Sequence, residues 1–196
     1  MTADPNKLKK QLKSHLSRQR FEHTLGVKKQ AVILADQFDL EIKKAEVAAL
    51  LHDYAKEMPQ KKIKQWALKC SWKIDELELE LTSVLHAPVS AYLAREKFDI
   101  SDREILTAIR FHAIGSPELS LLGKIIFLAD MIEINRDFPG VNKLRKLAVE
   151  NFHQALINAC DNSLKYNLKA ENIIHPNTLL MRNELLKGEN SHAQNK

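Results

Sequence analysis

The chain has 196 residues, 44% of them apolar and 28% charged, with a net charge of +5. That size suits one domain around one substantial core, and the composition argues against a disordered or fibrous chain. No apolar run reaches membrane-spanning length, no secretory-type leader opens the sequence, and Cys70 and Cys160 lie too far apart for metal-type spacing, so no membrane partner and a cytoplasmic setting with reduced thiols are expected.

Glycine and proline are sparse, at five and six residues. Strand-like alternation is scarce, and apolar residues recur at offsets of three and four, which predicts an all-α, single-domain chain. Residues 1–16 form a lysine-rich segment with a short helix over 6–15. Its Lys7, Lys9, Lys10 and Lys13 have no interleaved aromatic residues, as a single-strand stacking platform requires, so no nucleic-acid partner is expected. Ser17 is placed to cap a helix running to about Phe38. Phe21, Leu25, Val32 and Ala35 form its main stripe, with His23, Val27, Ala31 and Leu34 as the adjoining edge.

The next helix runs from Ile42 to about Lys56, and its Ala45, Ala48, Ala49 and His52 share a face of small residues. Asp53 follows, about 100° further round, and Pro59 disfavours helical geometry at Met58. Past Pro59, the residues Ile63, Trp66, Ala67 and Cys70 mark an amphipathic helix, whereas 71–82 carry no clear pattern. Pro88 is placed to start a helix just after His86. Ser101 and Glu104 have the spacing of a capping box. Ile105, Ile109 and His112 then share a face, and Gly115 is the expected C-cap.

Ser116-Pro117 begins another helix, whose continuation over 123–132 is the most apolar stretch of the chain and contains Asp130. A carboxylate buried there is costly unless a cation or hydrogen bonds compensate. The alternative is a narrow polar edge shared with Lys124. A turn at 136–140 leads into helices packed through Leu144, Leu147, Ala148, Phe152, Leu156, Cys160, Leu164 and Leu168. A short helix over about 179–186 follows the turn at His175-Pro176. Residues 17–187 are read as the domain, and 188–196 as a polar, disordered tail.

His23, His52, Asp53, His86, His112 and Asp130 lie on successive helices, each near a helix end or an inward edge. One inward histidine is most often structural, and an adjacent His-Asp pair alone is a weak signal. An antiparallel bundle, however, gathers such positions into one layer. Nitrogen and oxygen donors without thiolate suit Fe, Mn or another divalent first-row ion.

The order of these residues resembles that of the HD-domain superfamily. Arg20-Phe21-Glu22-His23-Thr24-Leu25-Gly26-Val27, Leu50-Leu51-His52-Asp53-Tyr54-Ala55-Lys56, Leu85-His86-Ala87-Pro88-Val89, Ile109-Arg110-Phe111-His112, Leu128-Ala129-Asp130 and Arg136-Asp137-Phe138-Pro139-Gly140 look like the motifs of the bacterial YqeK-type symmetrical bis(5′-nucleosyl)-tetraphosphatases. The likeness spans roughly residues 17–187. It implies an HD-type helical bundle with a metal site between helices, and an iron-dependent phosphohydrolase that splits diadenosine tetraphosphate into two ADP. Carried over motif by motif, His23, His52, Asp53 and Asp130 hold the principal ion. His86 and His112 face the phosphates or ligate a second ion bridged through Asp53; the sequence leaves one ion or two open. Asp53, His86 and His112 are the catalytic candidates, with a metal-bound hydroxide attacking a central phosphorus in line.

Lys56 and Arg136 are the candidates for phosphate oxygens. The alternatives are helix-end charge compensation for Lys56 and a surface ion pair of Arg136 with Asp137 or Glu133. Arg20 and Thr24 flank His23 and orient it or touch substrate, and His175 is weighed equally as a nucleotide contact or a surface histidine. One departure stands out: Ala113 follows His112 where the family commonly has threonine, which removes a hydroxyl contact to phosphate. The resemblance is compatible with a homodimer. Two rivals remain, another HD-type hydrolase acting on a nucleoside phosphate, cyclic nucleotide or guanosine alarmone, and a noncatalytic helical module that binds RNA or a ribosomal partner.

Overall fold

The computed structural model describes residues 3–193, with side chains to residue 188. Among the described residues the secondary structure is helical throughout: α1 (Pro5–His15), α2 (Arg18–Gln37), α3 (Ile42–Leu51), α4 (Gln60–Ala67), α5 (Glu76–Glu80), α6 (His86–Phe98), α7 (Arg103–Phe111), α8 (Leu121–Ile132), α9 (Val141–Glu150), α10 (Phe152–Lys169) and α11 (Pro176–Ala193). None of these helices is long and apolar enough to cross a membrane.

Helix α3 is the hub. Ala45, Val47, Ala48, Ala49, Leu50 and Leu51 are all buried, and α3 packs against α1, α2, α6, α7 and α8. Its alanines have little side chain to hold neighbours off, so several helices approach one axis and their ends meet near its C-terminus. The helix ends at Leu51 rather than near Lys56. Beyond it the chain tightens into three-residue turns, with the Tyr54 N–H bonded to the Leu51 carbonyl at 3.2 Å and the Lys56 N–H to the Asp53 carbonyl at 2.9 Å. Buried Ser90 of α6 pins this turn by accepting the Ala55 N–H at 3.0 Å.

Helix α2 turns its expected edge inward. His23, Val27, Ala31 and Leu34 are buried, whereas Phe21, Leu25 and Val32 are half-buried. Its Ser17 cap stands as expected, accepting the Arg20 N–H at 3.2 Å. The cap of α7 is Asp102, not Ser101; the Asp102 carboxylate accepts the Glu104 and Ile105 N–H groups at 2.9 and 3.3 Å and pairs with Lys44 at 2.9 Å.

Ser116-Pro117 does not begin a helix, because α8 starts at Leu121 behind a Ser120 cap. Gly115, at φ +71, reverses the chain there, and the start of α11 holds the reversal through Thr178 to the Ile114 carbonyl at 2.8 Å and Asn177 to the Gly115 carbonyl at 3.2 Å. Two further expectations change. Pro88 lies inside the first turn of α6, which begins at His86, and Leu168 is exposed. Helix α11 is longer than the expected 179–186. The backbone over 188–193, expected to be disordered tail, continues this helix, and 194–196 lie outside the described residues.

Candidate metal centre

The ends of α3, α6 and α7 and the inward faces of α2 and α8 converge on Asp53, which is almost wholly buried. Its two oxygens face different groups. Oδ2 lies 3.5 Å from His52 Nε2, 3.6 Å from His23 Nε2 and 2.7 Å from Arg20 Nη1. Oδ1 lies 3.0 Å from His86 Nε2 and 3.4 Å from His112 Nε2. Asp130 completes the first group, with Oδ1 at 3.2 Å from His23 Nε2. The structure thus gathers His23, His52, Asp53 and Asp130 on one side and His86 and His112 on the other, with Asp53 between them.

The ring orientations decide what this cluster can hold. His52, His86 and His112 direct Nδ1 at the carbonyls of Ala49, Ser83 and Ile109, at 2.7, 2.9 and 2.8 Å. His23 directs Nδ1 at the Glu133 carboxylate, at 3.2 Å. A carbonyl or carboxylate only accepts, so each Nδ1 carries a proton, and in the neutral ring Nε2 presents a lone pair. The Nε2 atoms of His23 and His52 are then 3.4 Å apart, and those of His86 and His112 3.1 Å apart, with carboxylate oxygens beside both pairs. Lone pairs directed at one another in a buried site repel unless a cation lies between them, so the donors fit a divalent first-row ion.

Electrostatics agree. Burial pushes His52 down to about 3, and burial, opposed by Asp53, brings His86 down to about 4; both imidazoles are neutral at physiological pH. For His23 the burial penalty is outweighed by Asp130 and Asp53, which raise its pKa. Burial also works against ionisation of Asp53, yet His52, His112 and His86 hold it well below the usual carboxylate range. Asp130 is lowered in the same way by His23 and Arg136.

Cations line the rim. Arg136 reaches Asp130, through Nη2 to Oδ1 at 2.5 Å and Nε to the carbonyl at 2.8 Å, and not Asp137 or Glu133, the ion pair weighed as the alternative to phosphate binding. Lys56 Nζ lies 3.4 Å from His86 Nδ1 and 3.5 Å from the Ser83 carbonyl. Two of the expected substrate contacts are buried. Thr24 is fully buried, and its hydroxyl has no hydrogen-bond partner among the described residues. His175 pairs through Nε2 with Asp75 at 2.9 Å and accepts the Asn177 N–H on Nδ1 at 3.2 Å, which leaves no ring nitrogen for substrate.

Sequence reasoning missed Glu133 and Arg145. Glu133 is buried rather than on the surface, and its place at the C-terminal cap of the helix that carries Asp130 was the available signal. Arg145 of α9 binds the carbonyls of Ile132, Glu133 and Arg136 at 2.9, 2.7 and 2.8 Å, fixing the turn from which Glu133 and Arg136 project. Nothing in the sequence pointed to that role.

Two imidazole pairs sharing one carboxylate inside a helical bundle define a metal-dependent hydrolase class. The chain belongs to the HD domain family, which matches residues 20–135. It is 41% identical over 177 residues to a protein of Bacillus subtilis named symmetrical bis(5′-nucleosyl)-tetraphosphatase, across 90% of this chain and 95% of that one. A protein of the same name from Halalkalibacterium halodurans is also 41% identical, across 89% and 93%. Among solved structures, a "predicted HD superfamily hydrolase involved in NAD metabolism" from Clostridium acetobutylicum superposes with a TM-score of 0.90 at 35% identity, covering 95% of this chain and 99% of that one.

Proposed function

We propose that this chain is a metal-dependent phosphohydrolase that splits diadenosine tetraphosphate symmetrically. One water adds across the central P–O–P bridge and two ADP leave. The observation that carries this reading is the shared Asp53 carboxylate with neutral imidazoles on both of its oxygens, in a chain so similar along its length to symmetrical tetraphosphatases.

His23, His52, Asp53 and Asp130 would hold one ion, and Asp53, His86 and His112 a second; the donor set suits iron. The chemistry such an ion would supply when bound is activation of water near neutral pH and withdrawal of charge from a phosphoryl oxygen. The protein's own residues do the rest by positioning and charge stabilisation. Asp53, excluded from solvent and held ionised, orients the nucleophile with its oxygens. Lys56 and Arg136 stand at the rim with N–H groups for the phosphates: the guanidinium takes two oxygens of one phosphate, and the ammonium meets the charge arriving beside His86. Arg20, bonded to Asp53, keeps that carboxylate in place and offers its remaining N–H groups to the same anion. Ala113 supplies no hydroxyl beside His112, so we assign the phosphate contact on that side to Lys56.

The test is product identification. Metal-loaded protein incubated with diadenosine tetraphosphate should release ADP alone, two per substrate consumed. AMP with ATP would refute symmetrical cleavage. Faster turnover of a cyclic nucleotide, a nucleoside phosphate or a guanosine alarmone would reassign the substrate within the same family.

A further inference from the structure

The four imidazoles of the centre are not anchored alike. His52 and His112 are the C-cap residues of α3 and α7, where the last carbonyls of a helix have no partner within it. Their Nδ1 atoms therefore find the carbonyls of Ala49 and Ile109, three residues back. His86 opens α6 and takes the Ser83 carbonyl from the preceding turn. His23 has no such recourse. It sits inside α2, where the neighbouring carbonyls already accept helix N–H groups, and its Nδ1 acceptor comes instead from Glu133, 110 residues away.

Glu133 is itself held for this contact. Its side chain is 2% exposed, Oε2 accepts the Asn135 N–H at 2.8 Å, and Arg145 binds its carbonyl. Gly26, one helical turn beyond His23, makes room for it: a β-carbon at Gly26 would stand 2.4 Å from Glu133 Oε2. Resting on the metal-site reading above, we propose that Glu133 is a positioning residue for His23, keeping the proton on Nδ1 so that Nε2 faces the metal centre unprotonated, and that Gly26 is the residue that admits it. A charged acceptor behind a ligating imidazole also raises its donor strength.

Three variants test this, with the tautomer of His23 read from ¹⁵N chemical shifts of the metal-free protein at alkaline pH, where the ring is neutral, and metal affinity from chelator competition with elemental analysis. The wild-type protein should show His23 protonated on Nδ1. Glu133→Ala should lose that preference and bind metal about 10- to 100-fold more weakly. Glu133→Gln, whose amide oxygen still accepts from Nδ1, should keep the tautomer and lose less affinity. Gly26→Ala should behave like Glu133→Ala although alanine is the better helix former. If circular dichroism shows Glu133→Ala unfolded, the glutamine and Gly26→Ala variants decide the matter alone. A wild-type tautomer with wild-type metal affinity in Glu133→Ala or Gly26→Ala would overturn the proposal. Wild-type protein that holds no metal would instead overturn the proposed hydrolase, and the tautomer comparison would still judge Glu133.

Discussion

Asp53 divides its oxygens between two pairs of imidazoles, and that division makes single residues of the centre separable by experiment. His52 is wholly buried and contributes one nitrogen to the His23 and Asp130 side. Its replacement by alanine should cut metal content and lower turnover by at least about 100-fold, since even residues behind metal ligands cost 10- to 100-fold. The fold should persist by circular dichroism, and normal metal content in that variant would count against the assignment. Arg136→Lys asks a different question, because lysine keeps the charge but loses the planar fork. Loss of one charged hydrogen bond, about 1.5 kcal/mol, corresponds to roughly a tenfold rise in KM for the dinucleotide. Metal content is the control, as Arg136 also holds Asp130.

Among the elements, the caps carry defined stability. Asp102 accepts two N–H groups at the start of α7 and pairs with Lys44, and α7 delivers His112. Asp102→Ala should cost about 1 kcal/mol, a fall in Tm of about 2–4 °C for a chain of this size. Burial disfavours the charged carboxylate, but Lys44 and the Ile105 and Glu104 N–H groups hold its pKa below the ordinary 3.8. A carboxyl whose folded pKa is depressed stabilises above its unfolded value and loses that contribution as pH falls through the folded one. The difference in Tm between Asp102→Ala and wild type should therefore be full at pH 7 and shrink below pH 3.8. A difference that does not change with pH would mean the carboxylate's charge contributes nothing.

For the whole molecule, the centre couples stability to metal and to pH. A ligand that binds only the folded chain stabilises it by about 2.7 kcal/mol at one hundred times its Kd, so a divalent ion should raise Tm by about 5–11 °C, reversed by chelator. Without metal, His52 and His86 sit at about 3 and about 4 against 6.5 in the unfolded chain. Stability from keeping them neutral is present above pH 6.5 and lost as pH falls toward 4. His23, raised, works the other way, its contribution being lost as pH rises through its folded value. The two larger shifts dominate, so metal-free protein should melt at a lower temperature at pH 5 than at pH 7. An unchanged or higher Tm at pH 5 would contradict the buried neutral imidazoles.

Much of this was legible in the chain. Apolar spacing predicts the helices, and the residue types at His23, His52, Asp53, His86, His112 and Asp130 point to a metal centre because each falls at a helix end or an inward edge. Boundaries were less legible where a contact from a distant segment decides them. Asp102 displaces Ser101 as cap with Lys44 beside it, and Gly115 reverses the chain under bonds from Thr178 and Asn177. Those partners lie far off in sequence, and local propensity carries no trace of them.

The sequence by itself determined which donors the molecule owns and that helices would carry them, since periodicity and side-chain chemistry are local properties. Only the tertiary structure decided how Asp53 shares its oxygens, that Arg136 leans on Asp130, that Thr24 is buried and His175 pairs with Asp75, and that Glu133 stands behind His23. Those choices depend on which way each ring and carboxylate turns once α2, α3, α6, α7 and α8 have packed. A hydrogen bond spanning 110 residues exists only when the fold has closed.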